Sequence, residues 1–332
     1  MLGQQIALLI GEIIGQNIHL RYLRIKLNIV AIRDSHESEQ LVSNLHKCED
    51  LEHLELDLER CLIKNKLSSK LGQQIANMKK LSVLILNFRS NQIDNKGIID
   101  ISQGIQQCGQ NLYVLSLDLN FNQIEYEGAQ QIALAIQACP QLKILQIYLK
   151  ENNITKCGVN ELGKAILQCS YLEELKISLE HNKVNDEQQL NLGLLNKNNL
   201  KHLYLNFTYC SINSNDMYNF SKQISECKQL QTMNLILQRN NYDFQSLMSF
   251  AKSIMQFQNL YNISINLQTP IFQKQQLTQF ISSFSQIKKL FAFKLLISEY
   301  IDLKTYNKIA KKKFKRLVSK DINVYYYRLD YD

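Results

Sequence analysis

Residues 112–124 read LYVLSLDLNFNQI, and the apolar residues of this stretch alternate with polar ones until the chain reaches an asparagine. With x for any residue, the stretch is LxxLxLxLxxNxI. Alternation with a period of two is typical of a β-strand that buries one face. The same pattern returns from Leu142 and from Leu172, with Asn152 and Asn182 at the asparagine position. The stretch is therefore one copy of a repeat.

The repeat runs through most of the chain. Looser copies begin at Leu20, Leu51, Leu81, Leu200, Leu230, Leu260 and Leu290. Neighbouring copies start between 28 residues apart (Leu172 to Leu200) and 31 residues apart (Leu20 to Leu51). Between strands the apolar period changes, because residues 128–139 place apolar side chains three and four positions apart, as in an amphipathic helix. Each repeat is therefore expected to be a strand, a turn, a helix and a turn.

Repeats of this kind predict an α/β solenoid. A strand, a helix and a second parallel strand form a right-handed crossover in nearly all proteins. Stacked crossovers give a right-handed array with a parallel sheet of about ten to eleven strands on the concave side and helices on the convex side. The eleventh strand would run from Ile322 to Tyr326. The array is expected over residues 20–300, after a partial repeat at 1–19 that holds only a helix and before a basic terminal helix and capping strand at 301–332.

The asparagine at the tenth place after the first leucine has a structural explanation. A chain that leaves a strand loses the ladder partners of its backbone groups, and a buried Asn amide can replace them. Five copies carry it, as Asn91, Asn122, Asn152, Asn182 and Asn240. Cys210 and Pro270 stand at this place in two other copies, and there we expect a less regular turn.

Cysteine recurs where the helices end. Cys48, Cys139, Cys169 and Cys227 each precede the first leucine of the next repeat by three residues. Free cysteine behaves as a small buried hydrophobe. The cysteines include no C-x-x-C pair, and a chain with this much core does not need a disulfide framework. We therefore expect reduced, structural thiols and a cytoplasmic location.

The repeating residues from Leu20 to about residue 300 resemble the leucine-rich-repeat family, in particular its ribonuclease-inhibitor-like branch. That branch has a helix in every repeat and the motif LxxLxLxxNxL. The motif of this chain is longer by two residues, and the longer form resembles repeats found in ciliate proteins. The resemblance implies the solenoid fold and the binding of protein partners, but it does not indicate which partner.

The first residues align with the helical part of a repeat. Residues 11–20 match residues 163–172 without a gap, and the hexapeptide LGQQIA of residues 2–7 returns at residues 71–76. This first helix therefore lacks a strand of its own. We expect that a partner covers this end or that the sequence is a fragment of a longer chain. An ordered, polar cap facing solvent at residues 1–18 would contradict this expectation.

Positive charge is concentrated near the other end. The stretch 303–320 contains no acid, and its basic residues are Lys304, Lys308, Lys311, Lys312, Lys313, Lys315, Arg316 and Lys320. Together they equal the net charge of the whole chain, +8. Two interpretations remain open. The stretch is either the solvated face of a terminal helix or a site for an acidic partner, such as an acidic protein tail or RNA phosphate.

The outward side chains of the strands would line the concave face, where a partner would bind. In the first two repeats they are of opposite charge, and neighbouring strands about 4.8 Å apart would let Arg21, Arg24 and Lys26 pair with Glu52, Glu55, Asp57 and Glu59. In the middle repeats most are neutral. The candidate partner-binding residues are Ile85, Asn87, Ser116, Asp118, Gln146, Tyr148, Lys176, Tyr204, Asn206, Asn234 and Ile236. Tyrosine combines a broad contact area with a polar tip, which favours Tyr148 and Tyr204 as main contacts.

The sequence shows no catalytic constellation. The six histidines occupy different places of the repeat, except for His53 and His202, which share one place five repeats apart. No phosphate-binding GxxxxGK[ST] motif occurs, and no run of eighteen apolar residues could span a membrane. We expect no enzymatic activity, no cofactor, no metal, no small-molecule substrate and no membrane partner. The concave face also lacks a basic stripe with interleaved aromatic residues, which disfavours nucleic acid there.

The leading hypothesis is a non-enzymatic scaffold subunit that binds protein partners in a larger cytosolic or cytoskeletal assembly. The ciliate-like repeat form implies a ciliary assembly as one setting. One alternative is a GTPase-binding or GTPase-activating regulator, because some helix-bearing leucine-rich-repeat proteins act in that way. The other alternative is an RNA-associated subunit that is held through residues 304–320.

Overall fold

The strands form one open parallel sheet. The computed structural model of the chain describes residues 2–184, 188–267 and 273–297. In these residues the strands are β1 (Tyr22–Lys26), β2 (His53–Asp57), β3 (Val83–Asn87), β4 (Val114–Asp118), β5 (Ile144–Tyr148), β6 (Glu174–Ser178), β7 (His202–Asn206), β8 (Thr232–Ile236), β9 (Asn262–Asn266) and β10 (Ala292–Leu296). Each strand pairs in parallel with its neighbours in sequence, so the order in the sheet is the order in the chain. The strand expected at 322–326 and the terminal helix expected in 301–332 lie outside the described residues.

Helices follow most strands and form the second layer. They are α1 (Leu2–Gln16), α2 (His36–Ser43), α3 (Asn65–Ile75), α4 (Asn95–Cys108), α5 (Tyr126–Gln137), α6 (Lys156–Gln168), α7 (Ser214–Ile224), α8 (Phe244–Ile254) and α9 (Lys274–Phe284). The motif leucines fill the space between the layers. In β4, for example, Leu115 and Leu117 are buried while Ser116 and Asp118 face outward and are half-buried. The predicted α/β solenoid with a parallel sheet and a helical layer is confirmed.

The asparagines form the predicted ladder. The Nδ2 of Asn152 donates to the carbonyl oxygen of Leu119 in the preceding repeat at 2.9 Å and to that of Leu149 at 3.1 Å. Its Oδ1 accepts the backbone N–H of Ile124, also in the preceding repeat, at 2.9 Å. Corresponding bonds occur at Asn91, Asn122, Asn182 and Asn240. Each asparagine therefore satisfies backbone groups of the repeat before it.

The turn at Cys210 is less regular, as predicted. The Sγ of Cys210 donates to the carbonyl oxygen of Leu179 in the preceding repeat at 2.9 Å, which replaces the donor of the missing asparagine. The residues on both sides, Tyr209 and Ser211, have positive φ angles of 55° and 57°, whereas each turn with an asparagine has one such residue, directly before the asparagine. The turn at Pro270 lies outside the described residues.

The cysteines at the helix ends are core residues. Cys48, Cys139, Cys169 and Cys227 are buried, and all are free thiols. Burial raises the pKa of Cys169 to about 11 and that of Cys227 to about 12, so these thiols stay protonated near neutral pH. The prediction of small buried hydrophobes is confirmed.

One repeat contradicts the expectation of a helix in every repeat. Between β6 and β7 the described residues form no helix. This is the shortest repeat, with 28 residues from Leu172 to Leu200, and its buried residues Leu190, Leu192 and Leu194 alternate with a period of two. On a helix, Leu190 and Leu194 would share one face, but Leu192 would lie on the opposite face, so a helix could not bury all three leucines together.

Side chains from the two flanking helices hold this irregular segment. From α6, the Oδ1 of Asn160 accepts the backbone N–H of Asn191 at 2.8 Å. From α7, Gln223 donates to the carbonyl oxygen of Leu190 at 3.1 Å and accepts the N–H of Leu192 at 3.0 Å. The backbone groups that a helix would satisfy internally are therefore satisfied by the neighbouring repeats.

The outer side of α1 is apolar. The helix approaches α2 so closely that a Cβ at Gly11 would lie 2.0 Å from the carbonyl oxygen of Gln40. On its other side, Leu2 is 72% exposed, Leu9 57% and Ile13 49%. This ordered helix therefore presents apolar side chains to solvent and does not form a polar cap. The hypothesis that a partner covers this end of the array stays a prediction.

Candidate functional site

Two columns of outward side chains run across the middle of the sheet. The register of β3 to β8 aligns one column as Ile85, Ser116, Gln146, Lys176, Tyr204 and Asn234. The second column is Asn87, Asp118, Tyr148, Ser178, Asn206 and Ile236. The candidate partner-binding residues thus lie side by side on one surface, which we call the central face.

Asn206 contributes to this surface in a different way from its neighbours. It is only 7% exposed. Its Nδ2 donates to Glu180 at 3.1 Å, and its Oδ1 accepts bonds from the N–H and the hydroxyl of Thr208. Its amide therefore shapes the central face from beneath, and little of it is available to a partner.

Opposite charges in the first two repeats pair within the chain, as expected. The Nε of Arg24 lies 2.9 Å from Glu55 Oε2, and the Nζ of Lys26 lies 3.8 Å from Glu55 Oε1. Arg21 pairs with Glu52 in the same way. Exposed pairs of this kind stabilise a protein by about 0.2–1 kcal/mol each. These charges are thus largely matched before any partner arrives.

Asp118, at the centre of the face, is a carboxylate without such a match. Its Oδ1 accepts the backbone N–H of Asn120 at 3.1 Å. Burial raises the pKa of this carboxyl above its ordinary value of 3.8, although the bond from Asn120 and the charge of Arg89 oppose the shift. Arg89 forms its ion pair with Glu59 instead, at 3.6 Å, and no cation of the described residues pairs with Asp118. A half-buried, unpaired carboxylate costs free energy that a cation could recover.

The two candidate tyrosines are both partly buried in the face. Tyr148 is next to Asp118 in the sheet register, and burial raises the pKa of its hydroxyl to about 12. Burial also raises the pKa of Tyr204. Both hydroxyls therefore remain protonated at neutral pH and can donate a hydrogen bond to a bound partner.

A cavity of about 350 Å³ opens on the face between β6 and β9. Its lining residues are Glu174, Lys176, His202, Leu203, Tyr204, Thr232, Met233, Asn234, Asn262 and Ser264. Three of the candidate residues, Lys176, Tyr204 and Asn234, meet here. The cavity is open along the face, so a side chain of a partner can enter it.

Hydrogen bonds fix the polar wall of this cavity. The Nζ of Lys176 lies 2.7 Å from Glu174 Oε1, and Gln146 donates to the same oxygen at 2.8 Å. Burial acts to raise the pKa of Glu174, but these two bonds outweigh it and leave the pKa below its ordinary value of 4.5. On the opposite wall, the Nδ1 of His202 is 2.9 Å from the hydroxyl of Thr232. The cavity is therefore a preformed polar recess.

A cluster of stacked side chains lines the rim beyond the strand ends. The guanidinium of Arg89 lies 4.8 Å and the Nζ of Lys150 5.3 Å from the ring centre of Phe121. Phe121 has a φ of 57°, and it directly precedes the ladder asparagine of its turn. Cation–π contacts of this kind stabilise by about 0.5–1 kcal/mol at exposed sites. Arg89 and Lys150 also form ion pairs with Glu59 and Glu180, so the rim is an ordered surface whose charges are matched within the chain.

Several of these residues were missed by the sequence analysis. His202, Thr232 and Asn262 occupy the first outward place of their strands, and the alternation of the repeat would have identified that place. Phe121 occupies the place directly before the ladder asparagine. Its outward orientation depends on a positive φ angle, which a pattern of apolar residues does not reveal. The basic residues Lys304 to Arg316 lie outside the described residues.

Comparison with known families agrees with the geometry. Residues 79–102 and 110–133 match the family model described as Leucine Rich repeat. Each match begins just before a strand, β3 or β4, and extends into the helix that follows. The fold of the described residues is that of a leucine-rich-repeat solenoid. The match does not distinguish the ribonuclease-inhibitor-like branch or the ciliate repeat type, and no curated protein matches the chain.

Two kinds of feature are absent from the part of the chain that the structure describes. In residues 2–184, 188–267 and 273–297, no three His, Cys, Asp or Glu side chains are grouped so that they could hold a metal ion. Within the same residues, no helix is long and apolar enough to cross a membrane. Leucine-rich repeats typically mediate protein–protein interaction without catalysis, so the central face is the principal candidate site.

Proposed function

We propose that this solenoid is a non-enzymatic scaffold that binds a protein partner on its central face, within a larger cytoplasmic assembly. The observation that carries the proposal is the carboxylate of Asp118, which is half-buried in the middle of the face without a cation from the described residues. A partner that places a lysine or arginine over Asp118 supplies the missing charge. Charge-assisted hydrogen bonds to buried groups are among the stronger contacts of an interface.

The neighbouring residues support the same occupant. Tyr148, one strand away from Asp118, offers a ring for the stem or the charge of the incoming side chain. The cavity beside Tyr204 lies two to three strands further along the sheet, or roughly 10–15 Å at the usual strand spacing. A partner segment that crosses the strands can therefore place one basic residue at Asp118 and a second side chain in the cavity.

Crosslinking with mass spectrometry in native extract tests the proposal. We expect the partner to crosslink to residues around the central face. Substitution Asp118→Arg or Tyr204→Ala should weaken capture by at least about tenfold, or about 1.4 kcal/mol. Tyr218→Ala, which changes an exposed tyrosine on α7 in the helical layer, is the matched control and should leave capture unchanged. Capture that depends on Tyr218 and survives Asp118→Arg would overturn the proposal.

The identity of the crosslinked partner also tests the proposed cellular setting and the two alternative functions. A cytoskeletal or ciliary assembly is proposed from the resemblance of the repeat form, and the identity of the crosslinked partner decides it. A GTPase among the partners, with faster GTP hydrolysis on addition of the solenoid, would favour the regulatory alternative. RNA binding that falls steeply with salt, and that charge reversal at Lys311 to Lys313 removes, would favour the RNA alternative.

A further inference from the structure

The carboxylate and the ammonium on the wall of the cavity between β6 and β9 neutralise each other. They belong to Glu174 and Lys176, and their Oε1 and Nζ atoms lie 2.7 Å apart. The Nε2 of Gln146 donates to the same Glu174 oxygen at 2.8 Å. A carboxylate that entered the cavity would come near Glu174, and an ammonium would come near Lys176. A charged side chain would therefore lose its water without gaining an unpaired counter-charge.

Three polar side chains on the far side of the cavity have no partner among the described residues. Asn234 on β8 and Ser264 on β9 are neighbours in the sheet register, and Asn262 stands two residues before Ser264 on the same face of its strand. None of the three side chains forms a hydrogen bond with a described residue. Asn234 and Ser264 are half-buried, and Asn262 is exposed. Each group can donate and accept, so together they can hold a ligand that does both.

The ring of Tyr204 adds an apolar surface to the cavity. Tyr204 is next to Asn234 in the register of β7 and β8, and it lies between that residue and Lys176. The residue is half-buried, so part of its ring is open to a ligand. Methylene groups of an entering side chain can pack against such a ring. The cavity thus combines an apolar wall with a neutral, hydrogen-bonding one.

We propose that the cavity binds the side-chain amide of a glutamine or asparagine from the protein partner. This inference rests on the proposed function, because the amide belongs to the partner of the central face. A side-chain amide has two N–H donors and an acceptor oxygen, so it can bond to Asn234 and Ser264 in both directions. An apolar side chain would displace water from these groups and leave them without partners. A site built on hydrogen bonds rejects analogues that cannot form them.

The distance from Asp118 to the cavity predicts a sequence spacing in the partner. Asn234 on β8 is four strands from Asp118 on β4, or roughly 19 Å at the usual strand spacing. An extended segment advances about 3.3 Å per residue, so about six residues cover this distance. Side chains an even number of residues apart point to the same side of an extended segment. The partner is therefore expected to have a lysine or arginine over Asp118 and an amide residue about six positions away.

A phage-displayed library of random dodecapeptides, selected on the full chain, tests the inference. We expect the enriched peptides to share a glutamine or asparagine at about this spacing from a basic residue. In a synthetic peptide of enriched sequence, glutamate or leucine in place of the amide residue should weaken binding by at least about tenfold in isothermal titration calorimetry. A peptide that binds equally well with leucine would overturn the inference, and so would a library in which no amide residue is enriched.

Variants of the chain show whether the amide is bound in this cavity. Asn234→Leu/Ser264→Ala should bind the glutamine and leucine peptides alike, and Asn234→Asp should shift the preference from glutamine to lysine. Gln73→Leu changes an exposed amide on α3 in the helical layer, so it is the matched control and should bind like the wild type. Circular dichroism checks that all variants fold. An amide preference that survives Asn234→Leu/Ser264→Ala would contradict the assignment to this cavity.

The same measurements separate this inference from the proposed function. Peptides that depend on Asp118 and need no amide residue would leave the proposed function standing and overturn the inference alone. Sugar hydroxyls also donate and accept hydrogen bonds, so a glycan array is screened with the same variants. A glycan whose binding Asn234→Leu/Ser264→Ala abolishes would assign the cavity to carbohydrate and overturn the inference.

Discussion

Lys156 and Asp216 form an ion pair with 3.2 Å between Nζ and Oδ2, although 60 residues separate them in the chain. Lys156 is the first residue of α6 and Asp216 lies in the first turn of α7, so the pair spans the repeat that has no helix. The two side chains are 1% and 2% exposed. Asp216 also accepts the backbone N–H of Leu190 at 3.2 Å. The pair thus braces the irregular segment from both sides.

Removal of one member of this pair should destabilise the protein strongly. Lys156→Met leaves the carboxylate of Asp216 buried without its cation, and we expect the free energy of unfolding to fall by about 3–5 kcal/mol. Urea denaturation followed by circular dichroism measures this. The control Lys164→Met removes an exposed lysine of the same helix that pairs with Glu161, and it should cost less than about 1 kcal/mol. Equal effects of the two substitutions would show that the buried pair is not a brace.

The asparagine ladder should tolerate cysteine better than alanine. Asn152→Ala leaves the N–H of Ile124 and the carbonyl of Leu119 without partners, and at about 1–3 kcal/mol for each buried group we expect a loss near 3 kcal/mol. Asn152→Cys should lose less, because Cys61 at the same place of its own turn donates to the carbonyl oxygen of Leu27. Thermal and urea unfolding give the comparison. Asn153→Ala, at the exposed neighbour, should change stability by no more than about 0.5 kcal/mol, and a larger loss there than at Asn152 would contradict the ladder.

Neutralising Asp118 should stabilise the solenoid at neutral pH. Its pKa is raised in the folded state, mainly by burial, so folding is disfavoured once the group ionises above its ordinary pKa of 3.8. Asp118→Asn should therefore raise the melting temperature at pH 7, and the gain should vanish as the pH falls below 3.8. Asp243→Asn should behave oppositely, because a backbone hydrogen bond from Ser246 lowers the pKa of this cap residue. Melting curves over a pH series test both signs, and a gain at Asp118 that persists in acid would contradict the burial effect.

Alkylation of the native protein should begin at Cys157. It is the half-buried cysteine, whereas the other seven are buried. The thiolate is the reactive form, and burial raises the pKa of Cys61 and Cys108 to about 11. Iodoacetamide labelling followed by peptide mass spectrometry should find Cys157 modified first, and denaturant should expose all cysteines equally. Early labelling of Cys139 in the native protein would show that the helical layer opens at that repeat.

Local pattern was enough to predict the sheet and its turns. The alternation around Leu115 and Leu117 set which side of each strand is buried, and the asparagine place followed from the loss of ladder partners at the turn. The missing helix at Leu190 to Leu194 could also have been recognised, because the apolar residues there alternate with a period of two. The expectation of a helix in every repeat came from extending the apolar spacing of residues 128–139 to all repeats, and it overrode that local pattern.

The site was less accessible to sequence reasoning. Its residues were identified as outward-facing, but whether a charge is matched depends on neighbours one or two repeats away. Glu55 has its cations beside it, while Asp118 loses Arg89 to Glu59. The cavity likewise exists only because His202, Tyr204 and Asn262 come together from three different strands. Relations across repeats of this kind require the register of the whole sheet.

The asparagine ladder also gives the array a direction of dependence. Asn152 forms hydrogen bonds with the backbone of the repeat before it. A deletion of Asn152 and everything after it leaves the N–H of Ile124 without its acceptor. A deletion of everything before Asn152 leaves only the amide of Asn152 without partners, and water can solvate that amide. Two truncations that expose similar apolar area therefore differ in the stability they lose. The truncation that keeps the amino-terminal part loses more than the truncation that keeps the carboxyl-terminal part. Shortened or grafted versions of this scaffold should therefore be trimmed from the amino side, and a repeat added at the carboxyl side should order the one it follows.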